Sequence, residues 1–196
     1  MFAAIALLLA VVVYRVVTGF SSSGDHLWLL NIAPLAAIVL CGAVYLPKRM
    51  AIVLPLAMLA ISDVILNVFL YHWPLTSPHI LSRYVAYAIV LALGFALRGR
   101  ARWPELIGAS IVGSLIFYVV TNTGSWIAEP LYAKTFAGWI QALSTGTPGH
   151  PPTWWFYRQT FIGDIVFTVL FVGCMKWQSH REAARVPARR EQLVPW

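Results

Sequence analysis

Five ionisable side chains sit within or at the ends of long apolar runs of this sequence: Asp63, Asp164, Arg15, Arg83 and Arg158. Carrying such a group into a bilayer costs ~2.5–3.5 kcal/mol on insertion scales, so each is expected to face a bundle interior or a wet cavity, and to be paired. Asn31, Asn67, Tyr87 and Asn122 add hydrogen-bonding groups, and Trp126 adds an aromatic face. These residue types could recognise a polar small molecule. Carboxylates fix cationic groups, guanidinium groups fix anionic ones, and an indole stacks on a ring. They could also form an ion-pair network that pins the outer ends of helices together.

Catalysis fits poorly. Two aspartates on different spans suggest an intramembrane aspartyl dyad, but Phe161-Ile162-Gly163-Asp164 lacks the Gly-x-Gly-Asp form. Arginine neighbours are expected to hold both carboxyls ionised, whereas a dyad needs one protonated. His26, His72, His79, His150 and His180 are scattered over connections and tail. Cys41 and Cys174 lie inside apolar runs and read as small hydrophobes. Zinc spacings, phosphate-binding glycine loops and serine elbows are missing. The expectation is therefore a non-enzyme with neither metal nor cofactor.

The elements that must position these residues follow from composition. The chain has 196 residues, 60% hydrophobic and 11% charged. Soluble domains carry about 25% charged residues, so this is an integral membrane protein. The net charge of +7 resides in short clusters between apolar runs, which argues against nucleic acid. The pattern predicts an all-α fold of six transmembrane helices over about 2–20, 27–46, 50–71, 81–97, 105–121 and 159–177. The first run is read as a retained helix, since it has neither a basic n-region nor a convincing cleavage site. Pro34 leaves the second run open: either residues 27–33 complete the span above a kink, or the helix starts at the proline. Residues 131–143 form an amphipathic interfacial helix between spans five and six. Residues 179–196 are a basic, disordered tail.

Placing both termini in the cytoplasm puts ten basic residues inside and four (Arg15, Arg83, Lys134, Arg158) outside. Each polar residue then acquires a depth. Asp63 is thirteen residues beyond Met50, at ~20 Å of helical rise and so in the outer half. The other candidates share that level. On the fifth run Ser110, Ser114, Tyr118 and Asn122 make a polar stripe. It leads to Thr121–Trp126, expected as the exit of the span and the rim of an outward-facing site.

Asn31-Ile32-Ala33-Pro34, Ser62-Asp63, Thr121-Asn122-Thr123-Gly124-Ser125-Trp126, the Tyr132–Trp139 segment and Gly163-Asp164 resemble, in order and spacing, an uncharacterised family of small bacterial membrane proteins, a domain of unknown function. The likeness runs from roughly Asn31 to Val172. It departs in having Asn122-Thr123-Gly124 where an aromatic follows the Asn, and in the basic tail. That family is similar to the substrate-binding S-components of energy-coupling-factor transporters, which capture vitamins or metal ions. The resemblance implies a multi-pass protein of the bacterial inner membrane with an outward-facing pocket. It also implies a transmembrane coupling subunit, bound to ATPases, that docks on an Ala-x-x-x-Ala face of the first helix. Ala6 and Ala10 occupy that place. The pocket would be lined by Asn31, Asp63, Asn67, Arg83, Tyr87, Asn122, Trp126, Arg158 and Asp164. A related six-helix architecture serves in rod-shape proteins, so the alternative is a membrane scaffold that binds another membrane protein through the same polar cluster.

Overall fold

The structure is a computed structural model that describes residues 2–20, 34–72, 74, 76–100 and 102–191. Seven helices follow one another, and the described residues contain no strand. They are α1 (Phe2–Phe20), α2 (Leu35–Tyr45), α3 (Lys48–Leu66), α4 (Pro78–Leu97), α5 (Trp103–Ala128), α6 (Phe136–Leu143) and α7 (Thr153–Glu191). A π-helical turn, Asn67–Tyr71, extends α3. Among the described residues four helical stretches are long and apolar enough to cross a membrane: Lys48–Leu70, Pro78–Leu97, Trp103–Ala128 and Thr153–Arg181. The chain is a membrane protein on that ground.

The short helix α2 organises the rest. It is apolar all round, the pattern of a helix with no face left for solvent. Every residue from Leu35 to Ala43 is buried. It packs against α3, α4, α5 and α7, while α1 leans on α3 and α7. Its tightest neighbour is α4. A Cβ on Gly94 would lie 2.5 Å from Ala43 Cβ and 3.0 Å from Leu40 O, so only glycine lets these backbones approach. On one face of α2 Ile38 and Cys41 cluster with Phe167 and Phe171, and on the other face Val39 and Leu40 cluster with Leu59, Tyr87 and Val90.

Several boundaries differ from expectation. The 27–46 run, whose start was left open, is described as Leu35–Tyr45 with Pro34 as the N-cap. Its eleven residues rise ~16 Å, short of a ~30 Å hydrocarbon core. Residues 27–33, with the candidate Asn31, lie outside the described residues. The fifth helix does not end near 121 but continues to Ala128. The interfacial helix begins at Phe136, not 131, because the Thr135 side chain caps it by accepting from Gly138 N at 3.2 Å. Helix α7 starts at Thr153 and carries on through the expected tail to Glu191. The Ala, Arg and Glu content of 181–191 suits a helix as well as it suits a polar coil.

Candidate functional site

The N-terminus of α2 is buried with unpaired N–H groups, which no solvent can satisfy. Asp164, from the middle of α7, supplies the partner. Its Oδ1 accepts from Ala37 N at 2.9 Å, and the Ala36 N–H also faces the carboxylate. At the opposite end Arg98, just past α4, donates to Leu46 O at 2.5 Å and to Ala43 O at 3.3 Å. A negative group at the helix N-terminus and a positive one at the C-terminus both complement the macrodipole. The expected pairing of Asp164 with arginine is thus corrected: among the described residues no cation bridges it. Its main-chain carbonyl accepts from Ser110 Oγ at 3.2 Å, and Ser110 Oγ in turn accepts from Thr168 Oγ1 at 2.9 Å. The buried hydroxyl of Ser114 lies beside the carboxylate and serves as its side-chain hydrogen-bond donor.

Asp63 is the aspartate that pairs with arginine. Its Oδ1 accepts from Arg15 Nη2 and from Arg83 Nη1, each at 2.5 Å, which ties α1, α3 and α4 together. Arg15 also reaches Ser62 Oγ. Asn67 donates its amide to the carbonyl of Asp63 at 2.7 Å, where α3 widens into the π turn. Behind this cluster Tyr87 is fully buried. Its ring lies edge-on to Tyr84 at 5.8 Å and stacks on Phe117 at 5.4 Å.

Arg83 and Phe117 also face a cavity of about 650 Å3 between α4, α5, the start of α7 and the connection that precedes α7. A second lobe of about 180 Å3 shares Phe117, Thr121, Asn122, Thr153 and Phe156 with the first, and leads down to Ser114 and Thr160. At the mouth, His79 bridges Glu129 Oε1 at 3.0 Å and Ser125 Oγ at 3.3 Å. Burial pushes the Tyr132 hydroxyl up, and the neighbouring Glu129 carboxylate adds to that shift. Helix α6 is held at this end: Trp139 Nε1 donates to Thr123 Oγ1 at 2.9 Å, and Tyr118 donates to the Leu143 carbonyl. Phe136 and Ile140 remain exposed on its free face, a pattern that suits a helix lying in an interface.

The candidates divide accordingly. Arg83 and Asn122 stand on the cavity wall. Asp63, Asn67 and Tyr87 are buried behind it, and Asp164 lies below its floor. Trp126 is elsewhere. Its Nε1 donates to Ala133 O at 2.8 Å and Lys134 sits over its ring, so it clasps the α5–α6 connection. Arg158 is exposed, 4.7 Å from the Trp155 ring centroid. Ala6 and Ala10 are exposed on α1. Sequence reasoning did not give His79, Glu129 or Thr153 as site residues, and gave Ser125 only as part of the Thr121–Trp126 rim. The first two signal themselves weakly, since a histidine and a glutamate fifty residues apart show no spacing to read. Ser114 was visible in the polar stripe. Among the described residues no group of three metal-ligating side chains converges.

Neither a curated protein nor a solved structure matches this sequence. Over residues 1–188 it matches a family of unknown function (DUF6580), and with that match covering nearly the whole length, the chain belongs to this family.

Proposed function

We propose that the protein is a substrate-capturing subunit of the bacterial inner membrane that takes up a polar small molecule, vitamin-like or metal-containing, in the manner of energy-coupling-factor S-components. It has six spans, with α1 and the segment ending in α2 as the first two and both termini cytoplasmic. The cavity is what carries this reading. Small-molecule sites occupy clefts of ~300–1,000 Å3 with apolar walls and a few convergent polar groups. Here an open cleft of about 650 Å3 has Phe117 and Phe156 as walls and Arg83, Asn122 and Ser125 as polar groups. The basic residues of the 98–102 connection and of α7 beyond Lys176 favour the cytoplasm on their side. The exposed Ala6/Ala10 face is open to a coupling subunit that recruits ATPases.

The scaffold reading retains one specific support, the Arg15–Asp63–Arg83 network, which locks three helices without needing a ligand. Screening vitamins, nucleobases and divalent metals against purified protein by thermal shift separates the two. Capture predicts that at least one compound stabilises wild type and that Asn122→Ala loses most of the shift. If no compound stabilises wild type while a co-purified membrane protein does, the scaffold reading stands instead.

A further inference from the structure

Helices α5 and α7 frame a second opening at the end of their spans remote from the cavity. There they leave an apolar groove of about 170 Å3, lined by Trp103, Ile107, Val169, Val172, Gly173 and Lys176. Trp103 is the first residue of α5, and Lys176 stands near the end of the Thr153–Arg181 stretch of α7. The two therefore meet at one face of the membrane. Lys176 Nζ lies 5.8 Å from the Trp103 ring centroid, which holds the ammonium over the polar end of the groove. A Cβ on Gly173 would meet nothing within 4 Å, so the α7 side of the groove is open. Tryptophan and lysine both suit the headgroup level, the indole by its amphipathic ring and the lysine by a stem that reaches out of hydrocarbon.

Charge and width together indicate the occupant. Among the described residues Lys176 makes no ion pair. The segments around it are basic, with Arg100 and Arg102 before α5 and Arg181 further along α7. Their one acidic residue, Glu105, is turned to its own helix, where it accepts from Arg102 N at 2.6 Å. Arg98 is directed inward to the end of α2. A transmembrane helix is about 10–12 Å across with its side chains, too wide for so small a groove, whereas an acyl chain is thin enough to enter it. Basic pockets between spanning helices bind anionic lipid headgroups. We infer that the α5–α7 groove seats one anionic phospholipid, with an acyl chain along Val169 and Gly173 and the headgroup phosphate on Lys176. The site is independent of the capture reading, since it shares no residue with the cavity.

Native mass spectrometry of the full chain tests this. The protein is stripped of lipid in detergent and returned to mixed micelles holding equal phosphatidylglycerol and phosphatidylcholine with identical acyl chains. Wild type should retain phosphatidylglycerol as its first bound lipid about fivefold over phosphatidylcholine, the preference expected of one lysine at the headgroup level. Lys176→Gln should bring that ratio to about one, and Lys176→Arg should keep it. Gly173→Leu, which fills the groove and spares the charge, should lose the first bound lipid of either kind. Lys48→Gln, at an exposed basic residue that opens α3, should leave the preference in place. Lys176 is exposed, so its substitution keeps the test standing even if Gly173→Leu folds poorly. Equal retention of the two lipids by wild type would overturn the site. A fall with Lys48→Gln as large as with Lys176→Gln would assign the preference to diffuse surface charge, and an unchanged ratio in a folded Gly173→Leu would remove the groove from it. A membrane protein that co-purifies with wild type and is released by Gly173→Leu would give the groove to a partner and overturn the lipid.

Discussion

At the scale of single residues, the two buried aspartates do different work. Asp63 neutralises guanidinium groups, and removing it strands two of them in a low-dielectric place. Breaking a buried ion pair by deleting one partner costs about 3–5 kcal/mol. Asp63→Ala is therefore expected to lower the unfolding temperature in detergent severely. Arg15→Gln should cost far less, because Arg83 still pairs with Asp63. Asp164 instead supplies an acceptor to the α2 N-terminus. Loss of a cap acceptor costs about 0.5–2 kcal/mol. Asp164→Ala should show at least that loss, while Asp164→Asn keeps an oxygen for Ala37 N and should fall between it and wild type in chemical denaturation. If Asn were no better than Ala, capping would not be the main role. Both aspartates and all three arginines were legible as costly residues. The partner of Asp164 was not. A cap given by another helix depends on where α2 begins, and Pro34 allowed two answers.

At the scale of elements, Thr121–Trp126 shows how polar residues can stay helical. Thr121 donates to Phe117 O at 2.7 Å, Asn122 to Tyr118 O at 2.8 Å, and Thr123 to Val119 O at 2.7 Å. Each side chain is satisfied by the turn below it, so the helix continues where polarity alone suggested a loop. The continuation carries Ser125 and Glu129 up to His79 and makes α5 one side of the cavity. Helix α2 makes the complementary point, since its burial depends on close backbone approach. Gly94→Val should separate α4 from α2 and destabilise the protein by about 1–3 kcal/mol, the usual range for overpacking. Gly108→Val, where an added Cβ meets nothing within 4 Å, is the control and should be neutral or slightly stabilising, since valine has the better helix propensity. Thermal unfolding of the two variants side by side measures this. Similar losses would contradict the packing argument.

At the scale of the whole molecule, two systems lie next to each other, a closed ion cluster and an open cavity, joined at Arg83. Hydropathy and charge in the sequence led to the expectation that the expensive residues share one level of the spans. The sequence could not separate lock from pocket, because that division depends on which helices touch. Arg83, Asn122 and Ser114 fell on the cavity, while Trp126 and Arg158 went to the periphery, where indole and guanidinium found local partners. The account stands or falls on whether the cavity is a wet, outward-facing space. Asn122→Cys and Val39→Cys, made after replacing Cys41 and Cys174 by alanine, can be treated with a membrane-impermeant maleimide in right-side-out and inverted vesicles. The account predicts rapid labelling of Cys at 122 only in right-side-out vesicles, and none at the buried position 39. Labelling at 122 only in inverted vesicles, or in neither, would contradict it.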